Sequence, residues 1–422
     1  MIGLALLGGL AASWLEDPLS PAVAPPKDPK VRIERLFELD RFVTKTQLEA
    51  DQIARELALV PIASAADEKR WTAASLAIAA KRPKLPKKSG RHFTWEKEEK
   101  GMFILGGELG KPKGLLVAMH GGGKGSGDAW SAHGVYQGSA SKLDWLMIAP
   151  EVLQKTEHGW TDSGTEEWVL GLVESALRTW KIDPDRVFLS GHSMGGYGTW
   201  SLGAHHADRV AGLAASAGAP SPIFDGAGNV TDIQSGIVPN LRNVPFIIYQ
   251  SDDDPNVPPA ANRAAAKKLG EARERWGGFP FEYWEVPSRQ HDLPPGGMTA
   301  LLAKIADSVR DPRPAKVVWQ PALRWKRQCY WLWWEMPNLS ALVEAEVDRT
   351  TNEVRVKCDA STKGLEVLLD ARLVDITKEV RVLVNGAEVY KGIPAPDLGT
   401  IAKTSLHGDP ELVFARRVKL GG

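Results

Sequence analysis

The stretch Gly191-His192-Ser193-Met194-Gly195-Gly196 constrains this chain more than any other, because it stands between an apolar run at 187–190 and a helical stretch. A Gly-x-Ser-x-Gly pattern in that setting reads as a sharp strand-to-helix turn. The serine of such a turn holds a strained backbone conformation that costs on the order of 1–3 kcal/mol. Glycines at 191 and 195 remove side chains that would collide across it. Ser193 is thereby lifted above the carboxyl edge of a sheet, where open α/β sheets bind ligands.

The surrounding pattern fits that turn. Residues 115–119, 146–149, 187–190, 246–249 and 281–286 read as strands, and helical runs alternate with them. Val169, Leu172, Val173, Ala176, Leu177 and Trp180 recur at spacings of three and four and give one helix an apolar face. Two more helices are expected near 260–275 and 298–310. The alternation predicts a mostly parallel sheet with helices on both faces over residues 92–312.

Three further regions are expected. Residues 1–24 contain an apolar run from Ile2 to Ala12, about half the roughly 20 residues that a membrane-spanning helix needs. With Ala22-Val23-Ala24 as a cleavage candidate, the run reads as a secretory signal. It points to a secreted or periplasmic protein, or a cytoplasmic one if it is no signal. Residues 30–91 read as a helical region, with Leu36, Leu39, Phe42 and Val43 on one face, followed by a solvated basic linker at 81–91. Residues 315–422 read as an antiparallel β-sandwich, with Asn385-Gly386 as a hairpin turn.

Composition excludes several functions. The 52 basic and 52 acidic side chains balance, so the footprint that binds phosphate backbones or anionic membranes is missing. Two cysteines, Cys329 and Cys358, rule out a disulfide scaffold, a four-cysteine zinc site and an iron–sulfur cluster held by this chain alone. They leave a single disulfide or two buried thiols. No dense histidine spacing signals a metal. Trp319, Trp325, Trp331, Trp333 and Trp334 crowd the C-terminal region as core or interface, with an aromatic polysaccharide platform as the alternative.

A serine hydroxyl needs a base to become a nucleophile at neutral pH. His291 fits, standing after the 281–286 strand in a loop rich in proline and glycine, while His120, His158 and His192 have other plausible work. An acid must orient the imidazole, and the 251–258 loop offers Asp252, Asp253 and Asp254. The three adjacent acids leave the choice open, and resemblance to family strand-loop patterns, with the acid immediately before Pro and three before Val, selects Asp254 over Asp252. Trp160, in a glycine-flanked loop, and His192 are candidate substrate contacts.

The segments His120-Gly121-Gly122-Gly123, Ile182 to Val187 leading into Gly191 to Trp200, Asp254-Pro255 and His291 together resemble α/β-hydrolases of the serine esterase and prolyl-oligopeptidase-like type. Tyr197-Gly198-Thr199-Trp200 is similar to secreted bacterial carboxylesterases, including feruloyl-esterase-like and polyester-depolymerase-like enzymes. The resemblance spans residues 115–295. It implies a Ser193, Asp254, His291 triad, an oxyanion hole from the amides of Met194 and Gly122, no cofactor, and a small-molecule or polymer-linked ester as substrate. A serine peptidase or amidase and a non-catalytic binding protein are the alternatives. Because His291 must be neutral to act as base, activity should fall as pH drops through roughly 6 to 7.

Overall fold

The computed structural model describes residues 24–421. All of the expected signal segment except Ala24 lies outside the described residues. The chain enters through three helices, α1 (Pro29–Glu38), α2 (Thr44–Ala58) and α3 (Ala65–Ala79). Asp28 caps α1 by accepting from Lys30 N, and Ser64 caps α3 by accepting from Asp67 N. Phe42 and Val43 fall beyond the end of α1, so they do not extend its apolar face. Val43 is 46% exposed, and Phe42 packs edge-on against Trp325.

The central sheet is built from β1 (Gly90–Trp95), β2 (Lys100–Gly107), β3 (Gly114–Met119), β4 (Trp145–Pro150), β5 (Val187–His192) and β6 (Gly212–Ser216). A hairpin, β7 (Pro222–Phe224) with β8 (Val230–Ile233), interrupts before β9 (Phe246–Ser251) and β10 (Phe281–Val286) complete it. The order is β1-β2-β4-β3-β5-β6-β9-β10, and every neighbouring pair from β4 to β10 is parallel. Helices α4 (Ala129–Lys142), α5 (Thr165–Trp180), α6 (Met194–His205) and α7 (Ala260–Trp276) make crossovers, and α8 (Gly297–Ala303) follows the last strand. This is the α/β-hydrolase fold, with the serine turn after β5.

All six residues of β3 are buried, because helices cover both faces. Leu115, Val117 and Met119 join α5 in one core, whereas Leu116 and Ala118 meet Tyr136 of α4 and Leu301 of α8 in the other. The strand order reverses around β3. The loops after β3 and β5 therefore part, leaving a crevice at their carboxyl ends.

Beyond the sheet, β11 (Lys316–Trp319), β12 (Gln328–Cys329), β13 (Leu332–Trp334), β14 (Val343–Asp348), β15 (Glu353–Cys358), β16 (Leu365–Leu369), β17 (Val380–Val384), β18 (Ala387–Gly392) and β19 (Arg416–Lys419) form two sheets, β11-β14-β15-β17-β18 and β12-β13-β16-β19. The sandwich is not wholly antiparallel, since β15 pairs parallel to β17. Asn385 and Gly386 take the positive φ values, 49° and 87°, that their tight turn needs. Trp319, Trp331, Trp333 and Trp334 are buried, Trp333 on the face of β13 that meets Lys403 of α9, leaving no exposed aromatic platform from these four. Cys329 and Cys358 are buried free thiols, so the disulfide does not form.

A seven-residue helix, α9 (Leu398–Thr404), packs the C-terminal region against the N-terminal helices. Its Leu398, Ile401 and Ala402 share a core with Ile33 and Leu36 of α1 and Ile53 and Leu57 of α2. Charged pairs tie the same parts together, Arg416 to Glu68 at 2.7 Å and Arg327 to Asp51 at 2.6 Å, and Arg41 ties the N-terminal helices to Glu174 of α5 at 2.7 Å. Arg82, expected in a solvated linker, instead donates to Phe37 O at 2.9 Å. Burial, aided by Arg41, lowers its pKa to about 10. No helix among the described residues is long and apolar enough to cross a membrane.

Candidate active site

Ser193 sits between β5 and α6 at φ 60°, ψ −123°, the strained conformation expected of the turn. A side chain at 195 would collide with the Met119 carbonyl, and one at 191 with the Gly195 carbonyl, which is why both positions are glycine. Ser193 N donates to Ser216 O at 2.9 Å, fastening the turn to β6.

His291 Nε2 lies 2.8 Å from Ser193 Oγ, and its Nδ1 lies 2.8 Å from Asp254 Oδ2 and 3.0 Å from Oδ1. With Nδ1–H donating to the carboxylate, Nε2 presents its lone pair to the serine hydroxyl. Asp254 is buried at 3% exposure and fully engaged. Its Oδ1 accepts from Asn256 N and Val257 N, both at 2.9 Å, and its Oδ2 from Gln250 Nε2 at 3.3 Å. The other two acids of the loop hold the His291 loop in place. Asp252 accepts from Ser288 N at 2.9 Å, and Asp253 accepts from Gln290 N at 2.7 Å and Ser251 Oγ at 2.6 Å. Sequence reasoning left Asp252 open as the acid, and geometry assigns that contact to Asp254.

Gly122 and Met194 both border the space beside Ser193. Gly122 has φ 130°, a conformation that only glycine adopts readily, and a side chain there would press on Ser126 O and Gly127. The Met194 amide is the first of α6, where N–H groups have no helical acceptor. His120 anchors the glycine loop: its Nε2 accepts from Val152 N at 3.2 Å, so Nδ1 carries the proton and donates to Gly121 O at 2.7 Å. Burial lowers the His120 pKa and keeps this neutral tautomer.

Trp160 is not a substrate contact. It is fully buried, donates from Nε1 to His120 O at 3.2 Å, and lies flush against Gly198 of α6, so it supports the glycine loop from below. His192 does reach the site. Its Nδ1 lies 2.9 Å from Ser216 Oγ, and its ring stands 4.9 Å from that of His291. Burial, with the neighbouring His291, lowers its pKa to about 4, so it is neutral at pH 7.

Two clefts meet at Ser193 and His291. One of about 540 Å³ runs past Met194, Tyr197 and the β7–β8 hairpin, whose Phe224 is 58% exposed. The other, of about 520 Å³, runs past His192, Ser131 and Val135 of α4. Asn256 borders both clefts. Tyr197 belongs to the Tyr-Gly-Thr-Trp pattern of the sequence, but Asn256 and the hairpin do not stand out there, because only tertiary placement brings these ordinary loop residues to the clefts. No group of metal-ligating side chains occurs among the described residues.

No protein-family model matches the chain, and no curated protein matches it in sequence. Solved structures similar to part of it include a thermostable esterase at 18% identity and TM-score 0.40, covering 53% of this chain and 63% of the other. The chain therefore spans less than two thirds of that esterase's length. A ferulic acid esterase from Anaeromyces mucronatus is 16% identical at TM-score 0.38, covering 52% and 89% respectively. A poly(3-hydroxybutyrate) depolymerase from Bordetella parapertussis is 19% identical at TM-score 0.36, covering 49% and 85%.

Proposed function

We propose that this protein is a serine hydrolase that cleaves carboxylic esters through an acyl-enzyme. The reading rests on one observation: Ser193 Oγ, at a strained turn facing two clefts, lies 2.8 Å from His291 Nε2 while Asp254 holds the opposite ring nitrogen at 2.8 Å. In this mechanism His291 takes the hydroxyl proton as Ser193 attacks the ester carbonyl, and Asp254 stabilises the imidazolium that forms. The amides of Met194 and Gly122 receive the oxyanion, where one such donor contributes about 2.7–4 kcal/mol. His291 then protonates the departing alcohol. Water, activated by the same histidine, releases the acid and restores Ser193.

Clefts on both sides of the serine suit an ester with substantial groups on the acyl and the alcohol side. The test is hydrolysis of a p-nitrophenyl ester series and methyl ferulate, beside peptidyl anilides, by wild type and Ser193→Ala. Loss of a triad nucleophile lowers kcat by about a millionfold, so ester turnover should vanish in the variant. Anilide turnover without ester turnover would instead make the protein an amidase.

A further inference from the structure

We propose that the cleft beside the β7–β8 hairpin selects esters that carry an uncharged apolar chain, and that Phe224 sets the preference for chain length. The proposal rests on the esterase reading of Ser193 and names the substrate class of that same site. The hairpin is a separate two-stranded sheet inserted between β6 and β9. Its base is fixed: Ile233 shares the buried core with Leu269 of α7, Gln234 N donates to Ser221 O at 2.9 Å, and Asp232 pairs with Lys268 of α7.

The outer part of the hairpin holds apolar side chains out in solvent, with Phe224 58% and Ile223 48% exposed. Phe224 and Val230 are cross-strand partners and share one face. Both line the cleft that reaches Ser193 and His291, whereas the equally accessible Ile223 does not. Pro220, Pro222, Val257 and Pro258 extend the apolar lining. The reacting ester must sit between Ser193 and His291, so the rest of the substrate leaves through one of the two clefts. An apolar wall that runs from the nucleophile out to an uncovered phenyl ring is the surface an attached hydrocarbon chain would cover.

Charge points the same way. No lysine or arginine among the described residues lines this cleft, and its lining carboxylate is Glu157. A charged group on the chain would lose hydration against the apolar wall, and an anionic one would also meet Glu157 with no cation to pair it. The second cleft is different in kind. Ser126, Ser131 and His192 border it, offering hydroxyl and imidazole groups in place of an apolar plate. The two sides of Ser193 therefore accept different chemistry, and the hairpin side takes the hydrocarbon.

The test measures kcat/KM along two ester series below their solubility limits, p-nitrophenyl butyrate against octanoate for the acyl side and butyl against octyl acetate for the alcohol side. Wild type, Phe224→Ser and Ile223→Ser are compared, with Ser193→Ala as the blank and thermal melting to confirm folding. Burying a methylene is worth about fourfold, so in one of the series wild type should favour the longer chain by at least about tenfold. Phe224→Ser should cut that ratio by at least about fivefold, the loss of one to two methylene contacts, while Ile223→Ser keeps it within about twofold. Monomethyl suberate, with its terminal carboxylate, should be cleaved at least about tenfold more slowly than methyl octanoate. A flat profile in both series, an equal shift in the two hairpin variants, or equal turnover of the suberate monoester would overturn the proposal and leave the esterase reading standing. No Ser193-dependent turnover of any of these esters would overturn that reading, and the proposal with it.

Discussion

Helix α6 has a histidine–carboxylate pairing at each end, and the two ends do different things. At its start His291 bonds Asp254 on one nitrogen and Ser193 on the other, beside open clefts. At its finish His205 Nδ1 and His206 Nε2 both bond Glu166 Oε1, at 2.9 and 2.7 Å. The three side chains there are 8%, 3% and 4% exposed. Burial pushes the Glu166 pKa up, but His205 and His206 outweigh it and bring the group to about 2. The imidazole at the first end links a carboxylate to a serine hydroxyl beside open clefts. At the second, each histidine turns one nitrogen to the same buried carboxylate, with no hydroxyl opposite. The same residue types yield a relay open to a cleft in one place and a buried polar lock in the other, and access together with the hydroxyl partner makes the difference.

Breaking the first end should have the largest effect, with Ser193→Ala lowering esterase kcat by about a millionfold at unchanged melting temperature. Asp254→Asn should follow at about ten-thousandfold, because the amide no longer holds the proton on Nδ1; a pH-rate profile alongside kcat checks it. Gly122→Ala, whose Cβ would press on Ser126 O and Gly127 and shift the backbone, should cost about a hundred- to a thousandfold in kcat through displacement of the proposed oxyanion donor, with KM changing little.

The second end should respond in stability instead. Glu166→Gln leaves buried imidazole donors poorly matched and should cost about 2 kcal/mol in denaturant unfolding, with kcat within about twofold. If kcat falls as far as in Asp254→Asn, the contrast between the ends collapses.

The smallest effect concerns pH. His192 and His206 both have folded pKa values of about 4, below the unfolded value of 6.5, chiefly through burial. A depressed histidine binds fewer protons folded than unfolded. Its contribution is therefore intact above pH 6.5 and is lost as pH falls toward 4. Melting temperature should drop across that window in wild type and Ser193→Ala alike, which separates acid unfolding from titration of the reaction centre.

Much of the first end was legible because its signals are local. The Gly-x-Ser-x-Gly turn requires its glycines, and β3, β4, β5 and β9 are apolar runs buried on both faces, while β10 at the sheet edge is half-buried. Strand β6, Gly-Leu-Ala-Ala-Ser, was not read, since its small residues make room for neighbours such as Ile305 and carry no strand signature. Helix α4, rich in glycine and serine, lacks an apolar stripe. The parallel β15–β17 pair and the joining of α1 to α9 depend on contacts distant in sequence, which periodicity cannot report. Trp160 misled because a glycine-flanked loop suggests exposure, whereas the close approach of Gly198 gives its indole a buried seat.

The most direct test of the reaction centre is intact and peptide mass spectrometry after treatment with a fluorophosphonate, which modifies only an activated serine. A single adduct on Ser193 in wild type, absent in Ser193→Ala and formed far more slowly in His291→Ala, is the predicted result. No adduct in wild type, or the same labelling in all three proteins, would contradict it.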